Sequence, residues 1–318
     1  MAISRTQPGR RASRAPRASQ AGQPRSAGKA RSAGKAREPV QLGIFGIRSW
    51  RKTRLVLAIL FAAVSIFPLL FMASLSFQPP SDIFSGTPVL VPTHPTFANY
   101  AQAWTENSFG SFFANSLYVS AGTVVLTLVL ASLAAFAFAR FRFPFREVTF
   151  YAFLASLAVP AVLLIIPQYL LMSRLHLIDS LNGLVLIYVS QNLPFSIFLL
   201  RGFFEAIPRE FEEAFRVEGA GNIRVLTRLI APLSVPALAT VAMFTFNSAW
   251  DEFIIALTLI NTPSHRTLPI GLSLFIGAHT TAWGPLFAGS MIATIPSVAV
   301  YLMAQRWFRS GVSLGGLR

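Results

Sequence analysis

The sequence predicts an all-α integral membrane protein with six transmembrane helices. Its residues are 53% hydrophobic and only 12% charged, against ~25% charged in a soluble domain. Six charge-free stretches, each long enough to cross a bilayer, divide the chain. Lys and Arg are shared out very unevenly among the segments between those stretches.

The chain starts with residues 1–50, read as a basic, disordered cytoplasmic tail. Up to about Val40 the tail is rich in Arg, Ala, Ser, Gly and Pro, with a tandem hexapeptide at Arg25 to Ala30 and Arg31 to Ala36. So little apolar content cannot offset the entropy lost on ordering. Attraction to anionic lipid or help in fixing topology are its functional readings. A dispensable extension is the plainer one, and composition favours it. An Arg-rich, acid-poor start also fits an organellar transit peptide, but Pro and Gly oppose the amphipathic helix such a peptide needs.

From residue 51 onward the chain reads as one membrane domain. A hydrocarbon core of ~30 Å takes ~20 apolar residues per helix. No charge occurs from Leu55 to Ser81, Asn107 to Ala139, Val148 to Ser173, Ser180 to Leu200, Leu229 to Trp250 or Thr267 to Gln305. Each stretch is read as one helix, the fifth continuing past Asp251 and Glu252 to Ile260. The first apolar run, Leu55 to Phe77, is too long for the apolar core of a signal peptide. Prolines interrupt the spans at Pro68, Pro160, Pro167, Pro194 and Pro296. Membrane helices tolerate them where a neighbour or a cavity satisfies the freed carbonyl.

Orientation follows from the basic residues. Placing both ends in the cytoplasm puts 25 of the 27 Lys and Arg there and leaves only Arg174 and Arg266 outside. The positive-inside rule counts those residues rather than net charge. A formal charge of +15 points at first to nucleic acid, but 14 of the 27 basic residues lie in residues 1–54, opposed only by Glu38. The remainder is nearly neutral, so the expected partner is membrane lipid and not nucleic acid. The chain has no cysteine, which excludes disulfides and thiolate metal sites.

Away from the tail, charge concentrates between Arg201 and Pro236. Five acids (Glu205, Glu210, Glu212, Glu213, Glu218) and five arginines (Arg201, Arg209, Arg216, Arg224, Arg228) crowd this loop. Pro208 suits a first helical turn, and Glu210, Glu212 and Glu213 suit its positive end. Gly219 and Gly221 permit a sharp bend. A second short helix runs from about Asn222 towards Ile230 and stops at Pro232. Two short helices at an angle make a knob projecting from a membrane surface.

This loop resembles the coupling loop of permease subunits of ATP-binding-cassette (ABC) importers, whose pattern is Glu-Ala-Ala, three residues, Gly, nine residues, Ile-x-Leu-Pro. Here Glu213-Ala214-Phe215, Gly219 and Leu229-Ile230-Ala231-Pro232 keep the spacing throughout. Phe215, Leu229 and Ala231 depart from the pattern, each by an apolar replacement. The carbohydrate branch, that of the maltose transporter permeases, is resembled more weakly. The stretches concerned are Thr96-Phe97-Ala98-Asn99-Tyr100, Asn115-Ser116, Glu218-Gly219-Ala220, Pro232 to Pro236, Thr267-Leu268-Pro269 and the ending Gln305 to Arg318. The resemblance implies the type I importer permease fold and one of two membrane subunits of a sugar importer. It implies as partners a second permease, an ATPase dimer below and a solute-binding protein above. Glu213, Ala214, Gly219, Leu229 and Pro232 would couple to the ATPase, and alternating access would be the mechanism.

Asn247, Asp251 and Glu252 are the informative polar residues inside a span. Asn247 and Asp251, four apart, share one side of the fifth helix. A charge at depth costs roughly 2.5–3.5 kcal/mol on insertion scales and so faces a polar interior or a partner. All three are therefore expected on the translocation path, with positions 249 and 256 towards lipid. A structural hydrogen bond to a neighbouring helix is the equal alternative. Trp250-Asp251-Glu252-Phe253 is similar to the family's Trp-Asn-Glu-Phe, with Asp251 replacing Asn. His176 and His265 fall in outside loops without ligand spacing and read as surface histidines.

No phosphate-binding Gly-x4-Gly-Lys-Ser/Thr occurs, so ATP hydrolysis belongs to separate subunits. Gly311-x-Ser313-x-Gly315 matches a hydrolase elbow by accident, since that motif needs a strand before it and a helix after it. No cofactor or metal is expected. The alternatives are an importer for a non-sugar solute such as a polyamine or peptide, an integral membrane enzyme and a passive channel. The enzyme has little to stand on without cysteine or an intramembrane histidine.

Overall fold

The computed structural model describes residues 44–83, 91–92, 94–105, 108–277 and 280–314. Residues 1–43, most of the stretch read as a tail, lie outside the described residues, and a helix already begins at Ile44. Among the described residues the structure is helical, with one isolated antiparallel bridge between Ile276 and Thr281.

The helices are α1 (Ile44–Ser76), α2 (Ala98–Thr105), α3 (Phe109–Arg140), α4 (Arg146–Ser156), α5 (Ile165–Arg174) and α6 (Leu181–Ala206). They continue with α7 (Arg209–Val217), α8 (Asn222–Val225), α9 (Ala231–Leu233) and α10 (Val235–Trp250). The last are α11 (Ile254–Leu259), α12 (Leu268–Ser273) and α13 (Trp283–Leu314). Of these, α1, α3, α6 and α13 are each long and apolar enough to cross a membrane. Two further spans exist if each bent pair counts as one, giving up to six.

The third stretch is not one straight helix. Arg146–Ser156 and Ala161–Arg174 meet at 98°. Pro160 accounts for the break: it has no N–H to donate, and it steers the preceding residue away from helical backbone. By contrast Pro68, Pro194 and Pro296 sit inside continuous helices. The fifth stretch is also bent, by 83° between Asn222–Leu233 and Val235–Trp250, and it stops again at Asp251 before α11. The sixth holds the short α12 and the bridge before α13 begins.

The centre is built where α3, α6 and α10 pack together. Small residues allow it: a Cβ on Gly122 of α3 would already stand 3.4 Å from Val185 of α6. At one end Ala131, Ala135, Ile197, Leu200 and Val241 form a buried cluster shared with the loop that follows α6. At the other, Phe109, Phe112, Phe246, Trp250 and Ala288 form a second. There the Trp250 indole N–H donates to the Ala293 carbonyl at 3.0 Å and ties α10 to α13. Outward-facing aliphatic residues such as Ile59, Leu60, Val125, Val129 and Leu257 stay exposed, as a bilayer requires.

Candidate functional site

The loop after α6 folds as a compact knob, and local chemistry explains its shape. Pro208 caps α7 from outside and does not occupy its first turn. At the other end Gly219 has φ +80. Its N–H donates to the Arg216 carbonyl at 2.9 Å, and Ala220 N–H reaches back to Phe215 O at 3.1 Å. Those are the paired bonds of a Schellman ending, which needs a left-handed residue at this position. Space is open around Gly219, so the demand is for backbone conformation and not for room. The apolar contact that accompanies such an ending is made as Ala220 and Phe215 join the buried cluster.

The second helix of the knob does not stop at Pro232. It passes from α8 through a π-helical turn, Leu226–Ile230, into α9, where Pro232 lies in the first turn. A proline there lacks an N–H that the turn would leave unpaired anyway. The bend comes two residues later, at Ser234.

Apart from Phe215, the helix α7 is inside out. It buries Glu212 and exposes Phe211 and Val217, Val217 at 90%. The buried carboxylate pairs with Arg140, the last residue of α3, whose guanidinium also donates to the Ile207 carbonyl at 2.9 Å. Removing one partner from such a buried pair costs about 3–5 kcal/mol, because a charge is left stranded. Beside it Arg201 of α6 pairs with Glu147 of α4 at 2.9 Å and with Glu205 at 2.8 Å, while lying 4.0 Å above the Phe150 ring. A cleft of about 490 Å³ opens here, lined in part by Arg140, Arg146, Glu205 and Arg209.

Glu213, Ala214 and Gly219 are all exposed on the knob. Pro232 is exposed on the second arm, whereas Leu229 packs inward against the buried cluster. Phe211, Val217 and Ile223 are large apolar residues of the knob that stand exposed outside the motif. Their signal in the sequence is a large apolar residue recurring among the charges of a short polar helix.

Deeper in the fold, Asn247 is half-buried in α10, and its side-chain oxygen has no hydrogen-bond partner among the described residues. Asp251 caps α10 and is exposed, its N–H donating to the Asn247 carbonyl at 3.0 Å. Glu252 turns into the break instead. It accepts the Tyr188 hydroxyl at 2.5 Å and the N–H groups of Ile255 at 2.7 Å and Ala256 at 3.0 Å, so it starts α11. Ala249 and Ala256, expected towards lipid, are buried in the protein. The helix ends at Trp250, so the turn that would carry the shared face onward is absent.

Asn99, Asn115 and Ser116, part of the family resemblance, act as pins. The Asn99 amide donates to the carbonyls of Ser76 at 3.0 Å and Gln78 at 2.7 Å. Asn115 donates to Ser264 and Arg266 carbonyls at 2.8 and 2.9 Å, and the Ser116 hydroxyl accepts Leu268 N–H at 2.8 Å. A further pin was not legible beforehand. Asp179, at φ 57, accepts the N–H groups of Asn261 and Thr262, both at 2.9 Å, and the Thr262 hydroxyl. His265 is a surface residue whose Nδ1 lies 2.8 Å from the Asp179 carbonyl. Among the described residues no cluster of His, Asp and Glu has metal-binding geometry.

The profile of the family described as "Binding-protein-dependent transport system inner membrane component" matches residues 127–313. The chain is 33% identical to the diacetylchitobiose uptake system permease protein NgcG of Streptomyces coelicolor, covering 82% of this chain and 87% of that one. It is 31% identical to the galactooligosaccharides transport system permease protein GanQ of Bacillus subtilis, over 81% and 92%. Among solved structures it superposes on a chain of a bacterial ABC transporter involved in import of the acidic polysaccharide alginate. The TM-score is 0.73 at 25% identity, covering 82% of this chain and 97% of that one. A chain from the structure of a bacterial alginate ABC transporter in complex with an alginate pentasaccharide-bound periplasmic protein shares the fold at TM-score 0.62 and 13% identity. The knob lies inside the matched region, and the chain belongs to the family of binding-protein-dependent transport system inner membrane components.

Proposed function

We propose that this chain is a permease subunit of an ATP-driven, binding-protein-dependent sugar importer. The observation that carries this is the inside-out helix α7, which buries a glutamate and presents Phe211, Ala214 and Val217 outward. Apolar side chains held out on a polar knob mark a surface made for another protein. The partner is an ATPase subunit, with Glu213, Ala214 and Gly219 at the contact and Leu229 and Pro232 shaping the second arm. Sugar as the solute is supported by relatives named for diacetylchitobiose and galactooligosaccharide uptake and by the alginate importer. A second permease and an extracytoplasmic binding protein complete the assembly, the latter supported by the alginate complex. Residues 51–318 form the membrane domain, with six spans and both ends in the cytoplasm, behind a basic tail of residues 1–50. Asn247, Asp251 and Glu252 belong to the translocation path, Glu252 by shaping the break that interrupts it.

The test is reconstitution with the neighbouring-gene ATPase, second permease and binding protein in liposomes. Uptake is screened with diacetylchitobiose, galactooligosaccharides and alginate oligosaccharides beside a polyamine and a dipeptide. ATP-dependent uptake of a sugar is expected; uptake confined to the polyamine or dipeptide would replace the solute class, and uptake indifferent to ATP would make the chain a passive channel. Gly219→Val places a β-branched residue at φ +80 and should abolish ATPase co-purification while membrane insertion persists. Gly219→Ala, with open space around it, should do so less.

A further inference from the structure

We infer that the buried Arg140–Glu212 pair is a latch that makes the coupling knob and helix α3 move as one body. This rests on the coupling function proposed above and adds the route by which the knob's motion enters the membrane. Glu212 and Glu213 are adjacent on α7 and have opposite duties: Glu213 is exposed to a partner, and Glu212 is turned inward with its side chain 7% exposed. Arg140 is the last residue of α3, its side chain 5% exposed. It grips the knob twice, through the Glu212 carboxylate and through the Ile207 carbonyl at the entrance to α7. A paired charge withdrawn from water holds its register, because any separation strands two charges at low dielectric. A purely apolar contact would slide more cheaply.

The neighbouring network does related work on another helix. Arg201 ties α6 to α4 through Glu147 and also binds Glu205 within α6. Among the described residues it makes no ion pair with α7. Because α3 packs along α6 and α10, a push delivered at Arg140 reaches the centre of the fold directly. The covalent route through α8 and α9 instead crosses a π-helical turn and a sharp bend at Ser234. Sharp kinks occur where a π-helical turn interrupts the regular hydrogen-bond ladder, so this route bends more readily than the continuous α3. Arg140 and Glu212 are thus positioning residues, acting through α3 and touching neither ATP nor solute.

The absence of cysteine makes the test direct. Spin labels are placed on cysteines introduced at exposed positions 126 on α3 and 210 on α7. The chain is assembled with its ATPase in lipid nanodiscs, and the probe is Mg-ATP with vanadate. The wild type should give one narrow distance, the same with and without the probe. Glu212→Gln keeps the shape but strands Arg140, and should at least double the width of the distribution with the probe, while the ATPase co-purifies at wild-type yield. The reversed pair, Arg140→Glu with Glu212→Arg, should restore the narrow distance and serves alone if Glu212→Gln fails to insert. A wild-type distance that shifts with the probe overturns the latch, as does a Glu212→Gln distribution as narrow as the wild type. If the wild type binds no ATPase, the coupling function falls; the widths without nucleotide still decide whether the pair holds α7 to α3.

Discussion

Asp179 shows how one side chain can join two distant loops. Burial pushes its carboxyl up, but hydrogen bonds from the Thr262 hydroxyl and from the N–H groups of Thr262 and Asn261 outweigh that and hold it below the ordinary carboxylate value. A carboxyl lowered in the folded state lends stability above its unfolded pKa and loses it as pH falls through the folded one. The contribution should therefore be complete at neutral pH and disappear on acidification below about pH 4. Asp179→Asn tolerates the left-handed backbone and removes the charge. Its Tm should lie below the wild type at pH 7, and the gap should close in acid. A constant gap from pH 7 to pH 3 would mean that the carboxylate contributes nothing through its charge. Gly219 works differently at the same level of detail: it is required for a backbone angle that few other residues accept at low cost.

Among the elements, α10 and the break after it carry the residues proposed for the translocation path. The shared side of Asn247 and Asp251 ends at the C-cap, so their exposure arises from a helix terminus and not from a continuous stripe. Single cysteines at 247 and 251 should react with a water-soluble maleimide in at least one nucleotide state. The lipid-side controls are positions 244 and 257, both exposed and apolar in the native chain, which the reagent should spare. Positions 249 and 256 are buried in the protein and are unsuitable as controls. Protection of 247 by a transported sugar would make it part of the binding surface. If neither 247 nor 251 reacts in any state, Asn247 is a packing residue and the path runs elsewhere. The fifth stretch was legible as apolar and its first break was read two residues early, at Pro232 and not Ser234, but the break at Asp251 was not legible. Asp251 and Glu252 read as charges within a helix, whereas Glu252 spends its oxygens on Tyr188 and on starting α11.

For the whole molecule, orientation is the property that basic residues carry, and it can be measured in intact cells. A cysteine at 265, beside the Asp179 pin, should react with an impermeant reagent from outside, and one at 213 only after permeabilisation. The reverse pattern would invert the topology and remove the knob from the ATPase. Composition determined by itself that the chain is helical and membrane-embedded, because charge-free stretches of spanning length have few other stable fates. The bend at Gly219 was legible as well, since a Schellman ending is a local event, whereas Pro208 lies before α7 and Pro232 inside the first turn of α9, each one step from its reading. Tertiary structure alone decided that Glu212 rather than Glu213 is buried, that Leu229 turns inward, and that Asp179 reaches Asn261 and Thr262. The first and the last depend on partners 72 and more than 80 residues away, counted from Glu212 to Arg140 and from Asp179 to Asn261. No pattern confined to neighbouring residues encodes which charge meets which across such distances, because the pairing is fixed only when the helices pack.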